Sequence, residues 1–267
     1  MVDFAFKEKY NSKDLTEIME ILRKPGGCPW DSKQTHESIK QNFIEETYEV
    51  IEAINKKDSE LLCEELGDIM MQVVFHAQIE KEAGSFDFDD VCDGICKKLI
   101  IRHPHVFGDV KADTVDKVLE NWDEIKNRTK GRKTVTDSMI SVPRELPALM
   151  RAAKLQKKAA DVGFDWDDVS GALDKLGEEI DELKEAIKSG SQSDIDEEFG
   201  DILFSAVNVS RFIKTDAELA LTQASDKFLD RFSKVEKLAG QRGINMKEAP
   251  LEALDALWDE VKADSGR

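Results

Sequence analysis

Much is scarce in this sequence of 267 residues. No apolar run approaches the ~18 residues of a membrane-spanning helix. Met1 to Tyr10 hold no apolar stretch of the kind a secretion signal carries. The chain is therefore read as cytoplasmic, with no membrane partner. Basic residues are outnumbered, 38 Lys and Arg against 56 Asp and Glu, for a net charge of −18. So acidic a surface repels nucleic acid and anionic lipid. Neither is expected as a partner, and an anionic substrate needs a local basic cluster or bound cations. The four cysteines (Cys28, Cys63, Cys92, Cys96) include no CxxC pair. They read as free thiols in a reducing compartment. Period-two alternation and Val-Thr-Tyr-rich runs are also missing, which argues against sheet.

What remains is helical. Six prolines and fifteen glycines leave long uninterrupted stretches. Within them Ile18 and Leu22, then Phe43, Val50 and Ile54, then Leu62, Leu66, Ile69 and Val73, recur at helical spacing. With 40% apolar residues the chain can build a packed core. The fold class is all-α.

The chain is also written twice. NFIEETYEVIEAI (42–54) aligns with KLGEEIDELKEAI (175–187), and EELGDIMMQVVFHA (64–77) with EEFGDILFSAVNVS (197–210), both at an offset of 133. Trp30 and Trp122 match Trp166 and Trp258 at an offset of 136. Lys98 and Arg102 match Lys227 and Arg231, and Trp122 with Lys126 matches Trp258 with Lys262. Such agreement across a whole half predicts a tandem duplicated helical bundle with four to five helices per copy. The expected division is residues 1–130 for the first copy, 131–147 for a polar, Pro-containing linker and 148–267 for the second copy. The helices are placed near 11–24, 35–55, 58–82, 87–102 and 114–129, then 145–162, 168–188, 193–213, 215–240 and 250–263. Asp58 or Ser59, and Ser193 or Asp194, are the expected N-caps of the third helix in each copy.

The chemistry lies in paired carboxylates. Glu46 and Glu49 are three apart on one helix, Glu65 and Asp68 on the next; Glu179 and Glu182 with Glu198 and Asp201 repeat the pattern. Residues three apart share a helix face, and a short antiparallel hairpin sets the two pairs opposite each other. The helix carrying ExxD is apolar nearly all round, so it is expected to be largely buried. Carboxylates withdrawn from water repel each other unless a cation compensates. Gly67 and Gly200 sit between Glu and Asp, and mid-helix Gly costs about 1 kcal/mol. Close approach of a ligand or a neighbouring helix is the expected reason. An all-carboxylate donor set with no matching His or Cys suits a hard cation, Mg²⁺ or Mn²⁺, rather than zinc. Four carboxylates exceed the charge of one divalent ion, so more than one ion, or one ion plus cationic side chains, is expected. The four histidines (His36, His76, His103, His105) are confined to the first copy. They are read as surface or packing residues.

The motifs in this order resemble the MazG family of nucleoside triphosphate pyrophosphohydrolases. They are EETYE (45–49) with ELGD (65–68), EEIDE (178–182) with EFGD (198–201), GCPWD (27–31), QTHES (34–38), RHPHVFGD (102–109), KLQKKAADVGFDW (154–166) and KFLDRF (227–232). The resemblance implies an all-α fold, a homodimer and Mg²⁺-dependent conversion of an NTP to NMP and pyrophosphate. It also implies metal ligation by Glu179, Glu182, Glu198 and Asp201, and in the first copy by Glu46, Glu49, Glu65 and Asp68. Lys175, Lys227, Arg231, Trp258 and Lys262 would hold nucleotide, with Lys98, Arg102, Trp122 and Lys126 as the first-copy set. Glu178 or Glu45 is the candidate to orient or deprotonate the attacking water. No P-loop and no nucleophile–His pair stands out, so direct attack by water is expected. Asn42 replaces Lys175 in the first copy, and Arg102 runs into Pro104, where the helix must break. The second copy is therefore taken as the main catalytic centre. Two alternatives stay open: a relative specialised for dUTP/dCTP or phosphoribosyl-ATP, and a non-catalytic helical module whose acidic faces dock a basic protein.

Overall fold

The computed structural model describes residues 4–110, 114, 117–118, 122, 125, 129 and 133–265, the last two of these in backbone only. Among them there are helices and no strand, as the periodicity requires. The chain divides into two compact units, Met1–Lys126 and Asn127–Arg267. Among the described residues no helix is long and apolar enough to cross a membrane, and there is no disulfide.

Unit 1 contains α1 (Ser12–Arg23), a 3-10 turn (Asp31–Lys33), α2 (His36–Lys56), α3 (Ser59–Ala83), α4 (Phe88–Arg102) and the short α5 (Pro104–Phe107). The helix starts follow local chemistry. Asn11, Thr35 and Asp87 each close a capping box with the side chain three residues on, and Asp58 caps α3 as expected. Pro104 stops α4 and begins α5, so the predicted break falls where the ring removes a donor. α2 and α3 form an antiparallel hairpin, and α1 and α4 pack on α3. Met19, Ile39, Val74 and Phe75 are its buried apolar cluster. Arg23 reaches from α1 to fork onto Glu82 of α3 at 2.8–2.9 Å, and its remaining nitrogen donates to the carbonyls of Asp31 and Gln34. That one guanidinium pins the GCPWD loop to the hairpin.

Unit 2 contains α6 (Val135–Ile140), α7 (Ala148–Ala160), α8 (Val169–Ser189), α9 (Gln192–Phe212), α10 (Ala217–Gln241) and α11 (Leu251–Ser265). α8 and α9 repeat the hairpin, α9 and α10 pack on α7, and α10 packs on α11 around Val235, Ala239, Leu257 and Val261. Two expectations are corrected here. The stretch 131–147, read as linker, contains α6, which packs on α7 with Ser138 and Val142 buried. The hydroxyl of Ser191, not Ser193 or Asp194, caps α9 and accepts from Asp194 N. The helix therefore starts one residue earlier than expected. The helix expected over 114–129 falls mostly outside the described residues.

The two hairpin turns differ by one residue type at the same register. Lys57 closes the first with φ 56°, and Gly190 closes the second with φ 75°. Both need the left-handed region that only glycine enters freely.

Candidate active site

The hairpin geometry brings the acidic pairs together in each unit. Oxygens of Glu46, Glu49 and Glu65 lie within 4.8 Å of one another, as do those of Glu179, Glu182 and Glu198. Helical spacing places two of each trio on one rod and the facing Glu on the other. Glu65 and Glu179 are buried, Glu46 and Glu198 half-buried, Glu49 and Glu182 exposed. Asp68 and Asp201 stand outside these tight trios, yet Asp68 still interacts electrostatically with Glu46 and Glu65, and Asp201 with Glu198.

The electrostatics record unrelieved negative charge. Burial, then Asp68 and Glu49, pushes the Glu46 carboxyl above its ordinary range. Burial and Glu49 do the same to Glu65. In unit 2, Glu198 is raised by burial and Glu179, and Glu182 by its hydrogen bond with Glu179 and by burial. Carboxyls raised by desolvation and like charge are what an oxygen-ligated hard cation relieves. The residues present fit such an ion, and no sulfur or imidazole lies in either trio.

The units differ in what else touches the carboxylates. Lys175 Nζ sits 2.9 Å from Glu179 Oε1, 3.1 Å from Glu178 Oε1 and 4.0 Å from Glu182 Oε2. Its hydrogen bonds to Glu179 and Glu178 raise its pKa further above an already basic value. In unit 1 the corresponding residue is Asn42, and the helper is Gln72, buried on α3, whose amide hydrogen-bonds Glu46. Gln72 Oε1 has no protein partner. Gln72 belongs to no motif in the sequence; its one signal there is a lone amide inside the mostly apolar run Ile69–Ala77. Alongside the unit 2 trio lies an open cleft of about 890 Å³ lined by Glu178, Asp181, Glu182, Glu185, Asp194 and Glu198, with Lys184.

The candidate water-orienting residues Glu45 and Glu178 are both exposed beside their trios, Glu178 held by Lys175. The expected nucleotide residues that are described lie, apart from Lys175, on other helices of each unit. Lys227 and Arg231 lie one turn apart on α10, whose principal partners are α7 and α11. Trp258 packs on Phe228 at 5.3 Å, and Lys262 pairs with Asp259 at 3.2 Å. In unit 1, Lys98 is exposed and Arg102 lies over the Trp122 ring at 5.1 Å. Lys126 lies outside the described residues.

One expectation about the ExxD helices is corrected and one is narrowed. They are not largely buried: Leu66, Met70, Phe199, Leu203 and Phe204 are each 44–54% exposed. These helices are apolar all round, and each has a face that no other helix of its unit covers among the described residues. A Cβ at Gly67 or Gly200 would meet nothing within 4 Å, so among the described residues no neighbouring helix approaches there, which leaves a ligand as the expected neighbour. The space opposite both glycines is open.

Comparison with known proteins agrees with this geometry. The MazG nucleotide pyrophosphohydrolase domain matches residues 34–107 and 168–238, spanning the carboxylate hairpin in each unit. The chain is 47% identical over 250 residues to the nucleoside triphosphate pyrophosphohydrolase/pyrophosphatase MazG of Thermotoga maritima, covering 94% of this chain and 95% of that protein. It is 45% identical over 251 residues to the nucleoside triphosphate pyrophosphohydrolase of Escherichia coli K12, covering 93% and 95%. An uncharacterised Bacillus subtilis protein, YabN, is 49% identical over 253 residues, which cover 94% of this chain and 51% of YabN. With two matched domains and relatives aligned nearly end to end, the chain belongs to the MazG nucleotide pyrophosphohydrolase family.

Proposed function

We propose that the protein is a nucleoside triphosphate pyrophosphohydrolase of the cytoplasm, cutting an NTP between the α and β phosphates to give NMP and pyrophosphate. Broad action on ribo- and deoxynucleotides, cleansing the nucleotide pool, is the role we infer. The observation that carries it is the pair of Glu trios, three carboxylates within 4.8 Å in each unit, inside the two matched domains. We assign the functional domains to residues 1–130 and 148–267, with α6 between them packed against the second.

Glu179, Glu182, Glu198 and Asp201 would hold Mg²⁺, with Mn²⁺ as substitute, and Glu46, Glu49, Glu65 and Asp68 the equivalent in unit 1. Bound there, the ion would lower the pKa of a water and neutralise phosphate oxygens. The chain's own side chains do the rest. Glu178, exposed beside the trio, accepts a proton from the attacking water. Lys175 exchanges its carboxylate partners for a phosphate oxygen when substrate arrives. Lys227, Arg231 and Lys262 neutralise further phosphate charge, and Trp258 offers a face for the base. Lys98, Arg102, Trp122 and Lys126 are the weaker set in unit 1.

These cationic residues project from α10 and α11 rather than from the α8–α9 hairpin. Phe228, Leu229 and Phe232 on α10 are 42–68% exposed. Apolar side chains left open in this way are covered in oligomers. A homodimer is therefore part of the reading.

The test is product analysis with a panel of NTPs and dNTPs, with and without Mg²⁺. Pyrophosphate and NMP, formed only with the metal, are expected. Orthophosphate and NDP as products would overturn the reading. Turnover confined to dUTP and dCTP would instead mark a specialised relative.

A further inference from the structure

Away from the carboxylate trios, unit 1 holds a polar group with no equivalent in unit 2. His36 opens α2, while His76 and Glu80 lie one turn apart on α3. His36 Nε2 is 2.8 Å from Glu80 Oε1, and His36 Nδ1 is 2.6 Å from His76 Nδ1. At an offset of 133 the residues are Val169, Val209 and Ile213. The same place in the two hairpins is filled once by ionisable groups and once by hydrocarbon.

Ring geometry decides what the two nitrogens share. The imidazole planes are parallel within 4° and the ring centres are 4.9 Å apart. Parallel planes joined by a 2.6 Å contact are displaced by less than a ring's thickness, so the rings cannot be stacked face to face. They meet edge to edge, and the in-plane axes of the two Nδ1 atoms point at each other. One proton on that axis makes an N–H···N bond. A tetrahedral zinc at about 2.0–2.1 Å from each nitrogen needs donors farther apart and off the common axis.

We propose that His36 and His76 form an acid-sensitive clasp on the open end of the α2–α3 hairpin, closed while the pair carries at most one extra proton and opened by the second. The Glu80 carboxylate accepts from His36 Nε2–H, which leaves His36 Nδ1 as an acceptor for His76 Nδ1–H. Both rings are then neutral. A first extra proton enters at His76 Nε2, off the axis, and the shared bond becomes charge-assisted. A second must enter at His36 Nδ1, where two N–H groups would confront each other.

The surroundings set the order of these steps. Glu80 on α3 and Glu37 on α2 both interact with His36. Burial of His76 and repulsion from His36 hold the His76 imidazole below its ordinary range. The other nearby charges are engaged: Ser85 bonds Glu80, Lys40 faces Glu37, Lys81 holds Glu20 of α1, and Glu82 holds Arg23 of α1. Phe43 flanks His76 at 6.0 Å. In an open hairpin both imidazoles protonate near pH 6.5, whereas the closed clasp takes one proton. Below that pH the open form binds one or two more protons than the closed form, so closure weakens about ten- to a hundredfold per pH unit until the second proton enters.

The test is histidine ¹⁵N NMR and amide hydrogen exchange on the full-length protein from about pH 8 to about pH 5. In the wild type the two imidazoles are expected to titrate unequally. Exchange at His36–Lys40 and Gln72–Glu80, corrected for intrinsic rates, is expected to speed by about tenfold or more per pH unit relative to unit 2. Combining His36→Val, His76→Val and Glu80→Ile installs the residue types of unit 2 and should abolish that acceleration. Two independent titrations with ordinary midpoints in the wild type would overturn the proposal without recourse to the variant. So would acid acceleration that persists in the triple variant.

Discussion

Unit 2 keeps an ammonium among its carboxylates, and unit 1 keeps an amide. Lys175 touches Glu178 and Glu179, while Asn42 at the same register leaves Glu46 to Gln72. The acidic frames are alike, with a trio of Glu at matching positions on each antiparallel hairpin. Their neutralisation is not. An ammonium cancels a full charge and can move to a phosphate, whereas an amide only orients a carboxylate. Duplication thus kept the acidic frame in both copies and placed an ammonium in one. Near the open end of unit 1, imidazoles stand where unit 2 has hydrocarbon. The comparison predicts that catalysis concentrates in unit 2 and acid sensitivity in unit 1.

The largest expected effect breaks this comparison if it fails. Glu198→Gln should lower kcat on the order of 100-fold or more, because it removes the facing member of the trio. Asp201→Asn should cost less, since Asp201 lies outside the trio. Glu65→Gln in unit 1 should cost less than about tenfold. Steady-state pyrophosphate release checks all three. Equal losses in Glu198→Gln and Glu65→Gln would mean that the copies share the work.

Lys175→Met separates two roles of one side chain. Without the competing ammonium, the free unit 2 trio should bind Mn²⁺ more tightly, up to about fivefold as for a partly exposed ion pair. Without the phosphate contact, kcat/KM should fall about 10- to 100-fold. Calorimetry with Mn²⁺ and a kinetic assay on the same preparation read both. A parallel fall in metal affinity would show that Lys175 supports the site instead of guarding it.

Metal and pH act together on stability. The raised carboxyls of Glu46, Glu65, Glu182 and Glu198 bind protons more tightly in the folded chain than in the unfolded one. Their contribution to stability is therefore present in acid and lost as pH rises through their folded values, above the usual carboxyl range. At a pH high enough to ionise them the four repel. Mg²⁺ should raise Tm there by roughly 2–4 °C, and the gain should shrink as the pH falls toward the carboxyl range. Scanning calorimetry with EDTA and with Mg²⁺ at several pH values checks this. A gain that persists undiminished in acid would place the ion elsewhere.

Much of this arrangement was legible in the sequence because helices obey local rules. The 3.6-residue period fixed α1–α4 and α7–α11 to within a few residues, and equal spacing in both copies placed Glu46 opposite Glu65 and Glu179 opposite Glu198. What escaped depends on long-range packing. A hydrophobic pattern cannot tell a buried helix from one left open to a partner, and Leu66 and Phe199 proved open. Gly67 and Gly200 suggested close approach of a ligand or a helix, and among the described residues no helix comes near either one. Which acid completes a trio depends on rotamers, so Asp68 and Asp201 could not be set apart by spacing. The His36–His76 contact joins residues 40 apart in sequence, and its one sequence trace is the exchange for Val169 and Val209.

The smallest effect concerns the two turns. Lys57 and Gly190 occupy the same place between the hairpin helices, and both take positive φ. A Cβ in this region clashes with the neighbouring carbonyl, while glycine instead loses more entropy on folding. The clash outweighs the entropy at a left-handed cap, so Lys57→Gly should stabilise unit 1 by about 0.5–1 kcal/mol. Gly190→Lys should destabilise unit 2 by a similar amount. Urea melts of both variants check the pair. Opposite shifts of similar size mean that the difference lies in the backbone. A Lys57→Gly shift near zero would mean that the Lys57 side chain contributes something the backbone argument omits.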